Sequence, residues 1–229
     1  DIKVAGSDKV HVTSTGLGVG TTPSQALHVS ASNPFLELQG TASSSGDTGI
    51  FLNANGNHWI LKSDNYGSTN EFQIKQGDTS SSTAYMRINS VGAITKPLQP
   101  AFLTYLGSAT VDIAVNTNIT VPFNNEVFDQ NLDFDTSTYT FTAPVTGRYQ
   151  LNLMLRLNNV DTAPSYYQVY VITSNRNYTF TFEPNFSSDV DYYSVTLANL
   201  ADMDASDTAY ARVYQSGGSQ QTDISAGGD

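Results

Sequence analysis

The run Arg148-Tyr149-Gln150-Leu151-Asn152-Leu153-Met154-Leu155-Arg156-Leu157 alternates apolar and polar side chains with a period of two. In an extended strand, successive side chains point to opposite faces, so Leu151, Leu153, Leu155 and Leu157 share one face. Gln150, Asn152, Met154 and Arg156 share the other. The leucine face belongs in a β-sandwich core, and the polar face with Met154 in it suits solvent or a partly wet subunit contact. Ala209-Tyr210-Ala211-Arg212-Val213-Tyr214 repeats the pattern, with small or branched residues set against Tyr210, Arg212 and Tyr214. With Met154 and Arg156, these three make the expected subunit interface.

Around these runs, Tyr, Phe, Val and Thr are plentiful, and Gly, Asn, Asp and Ser clusters divide short apolar alternations. That is the reading of an all-β protein of many short strands. One short helix is expected near Thr22-Pro23-Ser24-Gln25-Ala26-Leu27, with Thr22 as N-cap and Pro23 as first helical residue. Two regions separate at Lys96-Pro97-Leu98-Gln99-Pro100, where two prolines stiffen the connector. Residues 1–96 are Gly-, Ser- and Asn-rich, with weak stripes such as Phe35-Leu36-Glu37-Leu38 and Trp59-Ile60-Leu61. Strands so thinly furnished gain stability when several copies of a chain share one core. Residues 97–229 are richer in aromatics and alternate more firmly.

Composition excludes several functions. The 229 residues carry 10 Lys and Arg against 21 Asp and Glu, a net charge of −11. Nucleic-acid and anionic-lipid partners need clustered cations, so neither is expected. Cysteine is absent, which removes disulfides, thiol catalysis and thiolate metal sites. No apolar run approaches membrane-spanning length, so membrane insertion is not expected.

Two stretches resemble known families. Gly16-Leu17-Gly18-Val19-Gly20-Thr21-Thr22-Pro23-Ser24-Gln25-Ala26-Leu27-His28-Val29 is similar to the "GxVGIGTTxPxxxLHV" element of bacteriophage tail fibres and trimeric adhesins, with Leu17 a mild departure. The stretch to Lys96, including Tyr85-Met86-Arg87-Ile88-Asn89-Ser90-Val91-Gly92-Ala93-Ile94, is similar to fibre necks. The second resemblance rests on Phe123-Asn124, Phe128-Asp129, Phe134-Asp135, Phe141-Thr142-Ala143-Pro144 and Gly147-Arg148-Tyr149. Their spacing resembles the C1q and tumour-necrosis-factor-like head. It implies a ten-strand jelly roll that trimerises about a threefold axis, over residues 97–229. Phe123, Phe128 and Phe134 are expected to pin a meandering connection, and Gly147 to permit a tight reversal.

That family closes with a strand of the "SxFSGxLL" kind, after a loop much like Gln220-Gln221-Thr222-Asp223-Ile224-Ser225-Ala226-Gly227-Gly228-Asp229. Residues 220–229 are therefore expected to be loop, with the closing strand missing from the record.

Chemistry is sparse. His11, His28 and His58 are the three histidines, with no nucleophile elbow and no His-Glu-x-x-His motif. They are expected to be ordinary strand and loop residues. Paired carboxylates could hydrolyse glycans, and Asp133 with Asp135, Asp189 with Asp191, and the Asp202, Asp204, Asp207 set qualify by spacing. Asp135 fits better as a turn residue that accepts backbone amides. No enzyme activity is expected, although a glycan-depolymerising tailspike stays open. The resemblance admits calcium as a cofactor at Asp189 and Asp191, just before Ser194-Val195-Thr196-Leu197.

Tyr166, Tyr167, Tyr178, Phe186, Tyr192 and Tyr193 are the candidate ligand residues, since tyrosine joins a large contact area to a polar tip. Alternate members such as Tyr167 and Tyr193 also fit a core. The expected protein is a homotrimeric virion fibre, tail or capsid, acting outside the cell, attached to other virion proteins and binding a host-surface glycan or protein. A head that only trimerises or attaches the fibre is the other structural reading.

Overall fold

The computed structural model describes residues 2–4, 7–19, 21–22, 24–32, 34, 36–39, 48–54, 57–64, 70–77 and 84–227. The chain divides into two compact units, Asp1–Ser82 with Arg87–Ile94, and Thr83–Met86 with Thr95–Asp229. Every regular element among the described residues is a strand.

In the first unit β1 (Ile2–Val4), β2 (Ser7–Val12), β3 (Leu17–Val19) and β4 (Leu27–Val29) form one sheet in chain order. The expected helix at 22–27 does not form. Residues 24–26 are bends and Leu27 opens β4, which pairs in parallel with β3 through Leu17–Leu27, Gly18–His28 and Val19–Val29. Pro23 itself lies outside the described residues. A six-residue segment cannot offset helix nucleation, whereas each residue of the parallel ladder gains a partner. β5 (Thr48–Ala54), β6 (Asn57–Asp64) and β7 (Glu71–Gln76) make an antiparallel ladder, followed by β8 (Ala84–Ile88) and β9 (Ile94–Thr95). Ile60 is buried, but Val12, Leu27, Leu36, Phe51 and Leu52 are each more than half exposed.

The second unit holds β10 (Phe102–Tyr105), β11 (Ile119–Thr120), β12 (Asn125–Asp129), β13 (Phe134–Asp135), β14 (Thr140–Thr142) and β15 (Gly147–Val160). β16 (Tyr167–Thr173), β17 (Asn177–Phe182), β18 (Val190–Met203), β19 (Thr208–Gln215) and β20 (Asp223–Ile224) complete it. One sheet runs β13-β14-β19-β16-β17 with β11 also on β19, a second runs β18-β15-β20, and β10 pairs with β12. Eleven strands are described where ten were expected. Three of them, β11, β13 and β20, are only two residues long.

The leucine alternation decides this core. Leu151, Leu153, Leu155 and Leu157 are buried, and Gln150, Asn152, Met154 and Arg156 are exposed. From β18, Val195, Leu197, Ala201 and Met203 join them, and Val169, Val171, Ala209, Ala211 and Val213 come from the other sheet. Phe102 stacks on Phe134 and on Phe141, each at 5.0 Å between ring centres. Phe134 is buried and Phe123 packs against the core, but Phe128 is half exposed and stands outside that core. It sits on β12 opposite Leu103, on a strand whose side chains are mostly exposed. Gly147 opens β15 without a positive φ, and a Cβ there would meet Tyr149 Cε2 at an ordinary 3.7 Å.

Two further expectations change. The loop reading of 220–229 gives way at Asp223–Ile224, which pair with Asn158 and Leu157 of β15. A glycine that does require its backbone is Gly218, at φ 75°, where a Cβ would lie 2.5 Å from Asp161 Oδ2 and 2.6 Å from Pro164 Cδ. Asp161 is buried and accepts the Ser219 amide in the same turn. Gly218→Ala is therefore expected to cost about 2 kcal/mol or more, read as a lower denaturant midpoint at unchanged slope. An unchanged midpoint would show that the turn relaxes freely.

Candidate functional site

The two sheets of the second unit enclose one core, so each presents an outward face on its own side of the sandwich. The outward face of β15 and β18 sets Gln150 opposite Leu200, Met154 opposite Thr196, and Arg156 opposite Ser194. Met154 is 73 % exposed, Leu200 61 % and Tyr192 66 %. The Arg156 guanidinium lies 5.4 Å from the Tyr192 ring centre and donates to Ser225 Oγ at 2.7 Å.

The outward face of β16 and β19 carries a row of tyrosines and one cation. Tyr214 sits opposite Gln168, Arg212 opposite Tyr170, and Tyr210 opposite Ile172. The Arg212 guanidinium stacks 4.4 Å over the Tyr170 ring, close enough for a cation–π contact. Tyr166 stacks on Tyr214 at 6.1 Å, and Tyr170 donates its hydroxyl hydrogen to Gln168 Oε1.

Tyr210, Arg212 and Tyr214 lie on the opposite sheet from Met154 and Arg156, so the five expected interface residues divide between two faces of one protomer. Periodicity places a side chain on the outward side of its strand, but which sheet the strand joins depends on long-range pairing.

The six candidate ligand residues also divide. Tyr167 is fully buried and is a core residue, which takes it out of any contact surface. It stacks on Phe182 at 5.0 Å, and Phe182 stacks on Tyr193 at 4.2 Å, so Tyr193 belongs to the same aromatic column. Tyr178 is half-buried against the core. Phe186 flanks Tyr193 at 5.8 Å with an exposed edge. Of the remaining two, Tyr166 joins the Tyr214 row and Tyr192 lies under the Arg156 guanidinium. Tyr170 was missed by sequence reading, although its place two residues from Gln168 and Ile172 in an alternating strand is a visible signal.

The carboxylates are held by protein donors. Asp189 accepts from the Thr162 amide and hydroxyl, both at 3.0 Å, and from Gln221 Nε2 at 2.8 Å. Asp135 accepts from the Ser137 amide and the Ser137 and Thr138 hydroxyls, as a turn residue does. Asp133 accepts from Asn131 Nδ2. Asp202 pairs with Arg176 at 2.7 Å, and Asp207 accepts from the Asp204 amide and from Asn175. Among the described residues no group of three or more His, Cys, Asp or Glu is placed to hold a metal ion, so Asp189 and Asp191 have no such set around them. His28 Nδ1 sits 3.2 Å from Ser24 Oγ, and the side chain of His58 lies outside the described residues.

Hydrogen bonds from Gln221 and then Thr162 hold the Asp189 carboxyl below its ordinary value of 3.8. A depressed carboxylate pKa contributes stability that is present above the unfolded value and lost as pH falls through the folded one. Asp189→Asn is expected to melt below the parent at pH 7, the gap closing as the pH falls below 3.8. A gap that persists in acid would assign the loss to geometry rather than charge.

No protein-family model and no curated protein matches this sequence. Among solved structures, the globular domain of zebrafish complement 1qA protein aligns over 55% of this chain and 91% of its own, at 17% identity and a TM-score of 0.42. An exo-β-1,3-galactanase from Phanerochaete chrysosporium, solved with galactose, aligns over 78% of this chain and 55% of its own, at 9% identity and a TM-score of 0.25. The strand pairing itself defines the β-sandwich.

Proposed function

We propose that this chain is a non-enzymatic structural and binding protein of a virion, a homotrimeric bacteriophage fibre whose C1q-like head contacts a host-surface glycan or protein outside the cell. The observation that carries the reading is apolar exposure in the single chain. Val12, Leu27, Phe51 and Leu52 of the first unit, and Met154 and Leu200 of the second, stand in solvent where copies of the chain could cover them. The tail-fibre element from Gly16 to Val29 and the phenylalanine spacing of the head support it from the sequence.

The mechanism is mechanical and multivalent. The first unit holds three chains together and projects the heads, and three equivalent weak contacts add into useful avidity. The row Tyr166, Tyr214, Arg212, Tyr170 and Tyr210 is the contact face, since flat aromatic rings with polar tips and one cation suit saccharide or protein recognition.

Light scattering during gel filtration tests the assembly. A closed trimer of the 24.7 kDa chain has a native mass of about 74 kDa. A well-folded monomer would remove the fibre reading. The receptor role is tested by competition, in which the isolated protein blocks adsorption of the virus and a Tyr214→Ala, Tyr170→Ala form does not.

A further inference from the structure

Several arginines of this chain have partners. Arg176 pairs with Asp202 at 2.7 Å, Arg87 with Glu71 at 3.7 Å, and Arg156 donates to Ser225 Oγ. Arg212 has no ion pair and no hydrogen-bond acceptor among the described residues, and its contact is the Tyr170 ring 4.4 Å away. Its Nε is buried with no hydrogen-bond partner. A guanidinium that has lost water on one edge without gaining an acceptor there keeps its full charge. An anion at its remaining nitrogens therefore stabilises it more than it would a fully hydrated one.

The residues paired around Arg212 include no carboxylate. Thr120 of β11 lies opposite it on one side and Tyr170 of β16 on the other. Beyond these, Tyr170 faces Thr179 of β17, and Gln168 faces Thr181. Asp135, on the strand at the far edge of the same sheet, is held in its own turn by Ser137 and Thr138. The chain's net charge of −11 acts at long range, but salt screens it beyond about 8 Å, whereas an anion on Arg212 is held at hydrogen-bond distance.

The form of the row selects the kind of anion. Tyr210, Arg212 and Tyr214 stand two residues apart on one strand, roughly 7 Å between neighbours, comparable to the length of one sugar unit. Tyr170 is fixed beneath the guanidinium by its bond to Gln168 Oε1, and Gln168 Nε2 donates to Thr181 Oγ1 at 3.2 Å. The row is shallow, because each ring is half-buried against its sheet, and freely projecting apolar side chains such as Met154 and Leu200 lie on the other sheet. A protein partner is held by anchors seated in pockets. A sugar chain needs flat rings to stack on, hydroxyls beside them and a counter-charge for its own.

We propose that this row binds an acidic saccharide, with Arg212 holding a sugar carboxylate and Tyr210 and Tyr214 stacking on the sugar rings to either side. The assignment rests on the reading of the row as the contact face and narrows its ligand to carboxylated glycans. Tyr170 is a positioning residue, since its ring supports the guanidinium.

The test uses the 229-residue chain against immobilised polygalacturonate, alginate, hyaluronate and polysialic acid, each beside its carboxyl-reduced neutral form. An acidic member is expected to bind at least about tenfold more tightly than its reduced form, and Arg212→Gln to remove that preference at an unchanged far-ultraviolet spectrum. Equal binding of acidic and reduced forms, or a preference that survives Arg212→Gln, overturns the acidic assignment. If Tyr214→Ala still abolishes that binding, the contact face itself stands. Binding to no member overturns the assignment as well, and competition with virus adsorption then decides separately whether the contact face survives.

Discussion

Tyr167→Ala lowers the stability of the head by about 4 kcal/mol, and Tyr167→Phe by about 1 to 2 kcal/mol, in denaturant unfolding at neutral pH. The first figure follows from position. Tyr167 is fully buried, and its ring lies 5.0 Å from that of Phe182 with 9° between the planes. Phe182 in turn stacks on Tyr193 of β18, so the column ties the two sheets together. Truncation to alanine leaves a cavity at the foot of that column, and stacked neighbours cannot collapse into it without leaving their strands.

The second figure follows from the hydroxyl. It shares a 2.8 Å hydrogen bond with Thr222 Oγ1 and reaches the Asp161 carbonyl at 3.2 Å. Both partners belong to segments that meet beside Gly218, so the phenol links the end of β15 to the approach of β20. Burial pushes its pKa up to about 12, with Asp161 and Asp189 adding to the rise. A raised pKa keeps the proton on the folded state after the unfolded chain has lost it. The associated stability is complete below the ordinary value of 10.0 and is lost as pH rises towards 12. Tyr167→Phe removes that component, so the gap between variant and parent narrows between pH 10 and 12. A constant gap across that window would mean that the phenol does not carry the alkaline sensitivity.

The parts of this fold legible in the sequence are those set by local alternation. Leu151 to Leu157 declare a two-faced strand, and their burial follows from period two alone. Asp135 is legible for the same local reason, because a carboxylate two residues before Ser137 makes a turn bond that needs nothing distant. The division of the expected interface residues between two faces was not legible, because it depends on strand partnership. Tyr210, Arg212 and Tyr214 have the same outward phase as Met154 and Arg156, and no local signal says that β19 joins β16 while β15 joins β18. Tyr166 and Tyr167 show the same limit within one dipeptide, since adjacent positions send one ring to the Tyr214 row and the other into the core. The helix expected at 22–27 failed because its cues were genuine but too few, and the β3 edge was a stronger competitor. Asp223–Ile224 escaped because two residues carry no period.

Met154→Arg together with Leu200→Arg is expected to convert an assembly of about 74 kDa into the 24.7 kDa chain, with the far-ultraviolet spectrum unchanged. Both side chains point away from the core, at 73 % and 61 % exposure, so neither substitution opens a cavity. Burying an exposed Met or Leu at a subunit contact is worth about 1.5 to 3 kcal/mol per side chain, and closed threefold symmetry counts each one three times. Arginine forfeits that gain and adds a desolvation cost, and symmetry repeats each new charge in all three copies. Arg148 and Arg156 already lie on the same outward row, and Asp202, opposite Arg148, is already paired with Arg176 at 2.7 Å. Met154→Leu is the control, since it keeps the apolar contact and should keep the mass. Tyr214→Arg on the other sheet should leave the mass unchanged, because that face is assigned to ligand rather than to subunit contact. The opposite pattern, with Tyr214→Arg dissociating the assembly and the Met154 and Leu200 pair leaving it whole, would move the interface to β16 and β19. The tyrosine row would then lose its place as the contact face.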